Sequence, residues 1–337
     1  MVFSGISMKK ISMKIIPSGG PEKIFPDSSI FIFFFLLIFA SLCHAKEDQH
    51  DICAGYQQDE HEYNRDDKTT ANTAFSKGLL WRVTGIKGQV NYLFGAMHSQ
   101  DHRVTRISPA VRLAIVKSDV LVLETIPDQT AEDTFMAAIY ANNHYSLRNL
   151  IDINVYERIE NEITDYGIPA ERLDQLKPWA VFSIMGRPKP VHALSLESAL
   201  KNIAQAANRQ VAGLESMEEI VAALDGLKIN DQIEILNDTI CNHKKIIRDT
   251  ATLVQLYLDR DLDGIWKFNN QPHRDEEVFN RFMEKLVYER NIRLLDRMKK
   301  YLDNGRAFIA VGAMHLAGEK GLLNSLQAEG YQLDRIY

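Results

Sequence analysis

Residues Leu93–Gln100 read L-F-G-A-M-H-S-Q, and the tetrapeptide Gly95–His98 returns as Gly312–His315, inside A-V-G-A-M-H-L-A-G. A repeated tetrapeptide alone says little, so its contexts decide. Val90–Phe94 and Ala307–Val311 are short runs of apolar, β-branched and aromatic residues, the mark of buried strands. Each runs into a Gly, which permits an unusual turn and the close approach of another group. Each then presents a His three residues later. Strands that end alike place two imidazoles at one edge of a parallel sheet, where open α/β sheets keep their sites. A third run, Asp119–Glu124 (D-V-L-V-L-E), ends on a carboxylate after four apolar residues.

Upstream, Leu79–Thr84 is a further strand, and the turn Gly85–Gln89 joins it to Val90–Phe94 as a hairpin. Pro109–Lys117 fits a short helix. The middle of the chain is mostly helical, with helical spacing over Thr130–Ala141, Val155–Tyr166, Leu196–Asn208, Ser216–Leu224 and Ile229–Leu258. Gln210–Leu214 interrupts it as a brief strand that ends at Glu215. A long helix, Glu276–Leu302, closes at Asn304-Gly305. Helix Gly321–Glu329 and strand Gln332–Ile336 finish the chain. The fold class is α/β: a central mixed sheet built from the N- and C-terminal thirds, with a mostly helical middle insertion, in one domain over residues 78–337.

The chain has 337 residues, 45% apolar and 25% charged, as in an ordinary folded protein. A net charge of −6 argues against a nucleic-acid partner. Met1–Ala45 has the form of an export signal: Lys9, Lys10, Lys14 and Lys23, the apolar run Ile30–Phe39, then a small-residue exit at C-H-A. The expected location is secreted or periplasmic, with a membrane anchor if the signal stays uncleaved. Lys46–Lys77 reads as a flexible polar arm. Cys53 and Cys241 are two thiols that can pair in an oxidising compartment, although two alone define no framework.

His98, His315 and Glu124 make a two-imidazole, one-carboxylate set, the vocabulary of a divalent-metal site. Such an ion lowers the pKa of a water and polarises a carbonyl. Glu215 follows a strand and either joins that edge or serves as an acid at a helix N-terminus. Arg290, beside Glu289 in mid-helix, is either one half of a solvated pair or a buried group that clamps a substrate carboxylate or steadies an oxyanion. His102 reads as a solvated residue and Trp179 as a core anchor.

The ordered pieces L-W-R-V, V-N-Y-L-F-G-A-M-H, S-D-V-L-V-L-E, L-K-P-W, V-A-G-L-E-S-M-E-E-I, E-R-N and F-I-A-V-G-A-M-H-L-A-G-E-K-G-L-L resemble the TraB/GumN family, which includes the Tiki proteins and PrgY. The resemblance runs from about Leu79 to Tyr337. It implies a metal-dependent hydrolase-like fold; Tiki members resemble membrane-tethered proteases that use manganese or cobalt. Carried over motif by motif, His98, Glu124 and His315 become metal or catalytic residues, with Arg290 and Glu215 in support. Glu218 or Glu219 stands where relatives often carry Gln, and the segment at Leu196 reads S-L-E-S.

The expected function is hydrolysis of a peptide or protein substrate with a divalent manganese, cobalt or zinc ion. Glu124 binds the ion or takes a proton, and Arg290 stabilises developing charge. The alternatives are a haem-, metal- or peptide-binding protein without turnover, an inactive partner protein, and a metal-free esterase using His as base.

Overall fold

A computed structural model describes residues 52–56, 75–141, 145–191, 193–271 and 273–337. The expected signal Met1–Ala45 and most of the polar arm lie outside these residues. Among the described residues, no helix is long and apolar enough to cross a membrane.

Six strands form one mixed sheet: β1 (Leu80–Thr84), β2 (Val90–Ala96), β3 (Val120–Leu123), β4 (Gln210–Gly213), β5 (Ala307–Gly312) and β6 (Gln332–Arg335). Their order is β4-β3-β5-β2-β1-β6. The four strands from β4 to β2 are parallel, whereas β1 runs antiparallel to both β2 and β6. The first and last thirds of the chain thus meet in one sheet, and β4 from the middle extends one edge.

Strands β3 and β5 read as unbroken apolar runs because helices cover both faces of a parallel sheet. Leu121, Val122, Phe308 and Ile309 are fully buried there. At the outer edge the pattern weakens, and β6 has exposed residues at both ends and half-buried ones between them. Helix Pro109–Lys117 starts as the sequence predicts: Pro109 occupies its first turn and Ser108 caps it by accepting from the Val111 N–H.

Two long helices differ from expectation. Ile229–Leu258 is broken into Ile229–Cys241 and His243–Leu258 at Asn242, whose side chain donates to Asp238 Oδ1 at 2.9 Å. No Pro or Gly marks this break; a polar side chain bonding back to its own helix accompanies it. Glu276–Leu302 is helix Glu276–Met283, a π turn Glu284–Tyr288, and helix Glu289–Asn304. A π turn carries one extra residue and so re-phases the helix after it.

The arm is not wholly detached from the domain. Ile52–Gly55 forms a short turn in which Cys53 is buried and joined to Cys241 by a disulfide. Tyr56 Oη donates to Glu234 Oε2 at 2.7 Å, and Arg274 lies over its ring. Hydrophobic periodicity cannot reveal this docking, because a covalent bond holds it.

Beside the disulfide, Asp238 is buried, and burial pushes its pKa up to about 7; the nearby Glu234 adds to this, while Asn242, Arg274 and Lys245 oppose it. In the unfolded chain the carboxyl titrates near 4. Between these values the folded state holds the extra proton, so this group makes stability fall as pH rises from about 4 through about 7. Asp238→Asn should remove that slope, on the order of 1.4 kcal/mol per pH unit. Urea unfolding at pH 5 and pH 8 checks this. The variant should gain on the parent by about 1.4 kcal/mol for each pH unit from pH 5 to about pH 7, whereas a difference that is the same at pH 5 and pH 8 would exclude the assignment.

Candidate active site at three strand ends

Three adjacent parallel strands, β3, β5 and β2, release Glu124, His315 and His98 at their carboxyl ends. The likeness of the two G-A-M-H exits predicts equivalent geometry, and the structure differs. They are one residue out of register: Gly95 lies opposite Val311, and Gly312 opposite Ala96. After β5 the chain coils at once into a helical turn, Ala313–Leu316, while after β2 it continues without regular structure. Neither glycine has a positive φ. Gly95 is needed for close approach: a Cβ there would lie 2.9 Å from Leu316 Cδ1 and 3.3 Å from Ala313 Cα, so the turn rests directly on β2.

Glu124 is the meeting point. Its Oε1 accepts the Gly312 N–H at 2.7 Å and lies 3.3 Å from His315 Nε2. Its Oε2 lies 3.6 Å from His98 Nε2 and 3.6 Å from Arg290 Nη2. The opposite nitrogen of each ring is held from behind. Asn291 Oδ1 contacts His315 Nδ1 at 2.6 Å. The Asn291 amide donates to the carbonyls of His315 and Lys320, which sets its oxygen toward the ring. His315 therefore donates from Nδ1 and turns the Nε2 lone pair toward Glu124. His98 Nδ1 lies 2.7 Å from Glu197 Oε1, an ionic contact without the direction of a good hydrogen bond.

Behind this set, the Glu215 carboxylate is fully buried between two arginines. Its Oε2 accepts from Arg290 Nε at 2.9 Å and Nη2 at 2.7 Å, and its Oε1 from Arg293 Nε at 3.0 Å and Nη2 at 2.6 Å. Arg290 follows the π turn directly, is 1% exposed, and donates from Nη1 to Leu286 O. Arg290 is thus buried rather than half of a solvated pair, and the carboxylate it holds is the protein's own Glu215. Glu215 does not cap the next helix; Ser216 does, in a capping box with Glu219, and Glu219 pairs with Arg297.

These charges set the protonation of the site. Burial works against a charged His98, but Glu197 and Glu124 outweigh it and push its pKa up to about 10. Burial dominates at His315 and, with Arg290 and His98 nearby, lowers it to about 4, so this ring is neutral at pH 7. Burial raises Glu124, yet His315, Arg290 and His98 together hold its carboxyl far below the ordinary range.

Among the described residues, no three His, Cys, Asp or Glu side chains already close into a metal-holding cluster. The donor set nevertheless suits a divalent cation. The ring-to-carboxylate distances of 3.3 and 3.6 Å are long for hydrogen bonds. They approach the edge, about 3.4 Å, of a tetrahedron of ligands about 2.1 Å from a metal. The same point is bare of side chain: a Cβ on Gly312 would stand 3.4 Å from Glu124 Oε1, 3.5 Å from His315 Cδ2 and 3.7 Å from His98 Nε2. Asn291 and Glu197 occupy the outer positions that orient metal-binding imidazoles. A cavity of about 30 Å³ borders both rings, room for about one water.

Sequence reasoning brought His98, Glu124 and His315 to this edge and left Glu215 and Arg290 open between two roles; the structure places all five together. It missed Glu197 and Asn291. Asn291 is the neighbour of Arg290 in E-R-N, and Glu197 lies in S-L-E-S. His102 is exposed, at the start of a one-turn helix, and Trp179 is fully buried with its indole N–H on Asp225.

Fold and site define an α/β protein with a buried His-His-Glu centre at its sheet edge. The chain belongs to the TraB/PrgY/gumN family, whose model matches residues 79–335. It is 24% identical to metalloprotease TIKI2 of Danio rerio over 84% of this chain and 66% of the relative. It is 22% identical to metalloprotease TIKI1 of Xenopus tropicalis over 80% of this chain and 65% of the relative. The uncharacterized protein YbaP of Escherichia coli (strain K12) is 23% identical over 70% of this chain and 87% of its own. The chain spans about two thirds of the length of these TIKI proteins. No solved structure matches it.

Removing one partner of a buried ion pair leaves the other uncompensated, at a cost of about 3–5 kcal/mol. Arg290→Met should destabilise the fold by about that amount in urea titrations. The double variant Arg290→Met/Glu215→Met should be more stable than the sum of the single losses predicts. Additive losses would show that Arg290 does not serve Glu215.

Proposed function

We propose that this protein is a metal-dependent hydrolase acting on peptide bonds, in a secreted or periplasmic setting. The observation that carries the reading is the convergence of two imidazole Nε2 atoms on one buried carboxylate, each ring held from behind by a second residue. The names of the TIKI relatives, both metalloproteases, support the same class at low identity. The Cys53–Cys241 disulfide supports an oxidising compartment.

In this reading His98, His315 and Glu124 hold a divalent cation. The cation supplies Lewis acidity toward a carbonyl and lowers the pKa of a water. Glu124 is suited to be a ligand rather than a general base, because a carboxyl held far below its usual pKa accepts protons poorly. Asn291 keeps the His315 Nδ1–H in place and so keeps Nε2 free to bind. Glu197 faces His98 Nδ1 with a carboxylate instead, so a cation bound at His98 Nε2 would replace the proton that this ring carries at pH 7. Arg290 and Glu215 are positioning residues: the Arg290 donors are spent on Glu215 and on Leu286 O, so the guanidinium steadies Glu124 from behind.

Elemental analysis with a peptide-cleavage screen tests the proposal. The purified chain should carry close to one equivalent of manganese, cobalt or zinc and lose cleavage on chelation. His98→Ala and His315→Ala should retain near-native circular dichroism while metal content and turnover both drop by at least about tenfold. Full metal content in either variant would rule out this ligand set, and chelator-resistant cleavage would point to the esterase-type chemistry instead.

A further inference from the structure

A larger cavity, of about 240 Å³, opens beside His98. Residues Met97–Asp101, on the carboxyl side of β2, form one wall, so His98 belongs to both the candidate site and this space. Phe182, Val254, Phe282 and Leu286 form much of the interior, and all four are buried. They come from three helical segments, and the rings of Phe182 and Phe282 meet edge to face.

The charged lining residues besides His98 are Asp101, Arg187 and Lys189, and each is engaged. Asp101 pairs with Arg103, Lys189 with Asp165, and Arg187 Nε donates to Ile184 O. Phe182, Val254, Phe282 and Leu286 supply no partner for a charged side chain, and burying one among them is costly. The rim is pre-shaped. In Arg187-Pro188-Lys189-Pro190, two prolines fix φ. Gln100 ties down the backbone just beyond them: its Oε1 accepts from Val191 N–H at 3.0 Å, and its Nε2 donates to Ala193 O at 2.8 Å.

The volume sets the size of the occupant. Clefts for whole drug-sized ligands run to about 300–1,000 Å³. A smaller space suits a single large side chain better than a polycyclic cofactor such as haem. We propose that this cavity receives one large apolar side chain of the substrate, of Leu, Met or Phe type, next to the bond that is cut. The inference rests on the hydrolase reading, because only the shared His98 places the side chain beside the reacting bond.

The test uses the full chain loaded with manganese and blocked pentapeptides acetyl-Ala-Ala-X-Ala-Ala-amide, with X as Gly, Ala, Leu, Phe or Asp. Products are located by mass spectrometry. Cleavage should fall at a bond flanking X, and kcat/KM should rise at least about tenfold from Ala to Leu. The Asp peptide should be the poorest. Two half-buried lining residues on different helices, Ser183 and Thr250, allow the cavity to be filled without cutting into the core. Ser183→Phe and Thr250→Leu should each bring the Leu-to-Ala ratio down toward one. A flat preference in the parent, or a preference that both folded variants retain, would overturn the proposal. If the parent cleaves none of these peptides, the hydrolase reading fails on this assay, and calorimetric binding of the same peptides judges the pocket. Tighter binding of the Leu and Phe peptides than of Gly, weakened by Ser183→Phe, would support it; equal or absent binding would refute it.

Discussion

One buried carboxylate organises the end of the sheet. Glu124 takes a backbone N–H from Gly312, faces both imidazoles and stands beside Arg290. A charge taken out of water needs partners on every side. That need accounts for much of what surrounds it. Gly312 lacks a side chain where the carboxylate and rings meet. Arg290 is held by a second carboxylate, Glu215, which Arg293 also clamps. The Glu215 backbone N–H reaches the Glu124 carbonyl at 2.7 Å, so β3 and β4 end together. Removing one member unbalances the rest, because Glu124, Glu215 and Arg290 are all buried.

The arrangement also separates the two histidines chemically. They share a sequence motif and face the same carboxylate, yet one is held protonated and the other neutral at pH 7. The difference lies in what stands behind each ring. Glu197 offers His98 a negative charge, whereas Asn291 offers His315 only a carbonyl. Identical tetrapeptides therefore specify different chemistry, since each supplies only the ring and residues from distant helices supply its surroundings.

Much of the sheet was legible because buried parallel strands write themselves as apolar runs. Val120–Leu123 and Ala307–Val311 could be read almost to the residue, and with them the strand-end positions of Glu124, His315 and His98. Arg290 was ambiguous because a π turn leaves no mark in hydrophobic spacing, and that turn precedes the buried face. The break at Asn242 was hidden for a similar reason: a side-chain bond to Asp238 marks it, with no Pro or Gly. Glu197 was not found because 99 positions separate it from its partner His98 and only the finished fold joins them. The Cys53–Cys241 bond spans 188 residues, and two cysteines carry no spacing pattern to read.

If three strand ends form one cation site, anomalous diffraction from crystals soaked in manganese chloride will show the ion itself. One strong peak should appear, bounded by His98 Nε2, His315 Nε2 and the Glu124 carboxylate, with Asn291 and Glu197 still behind the rings. A saturated crystal with no peak there, or with its only strong peak elsewhere, would contradict the shared-ligand site.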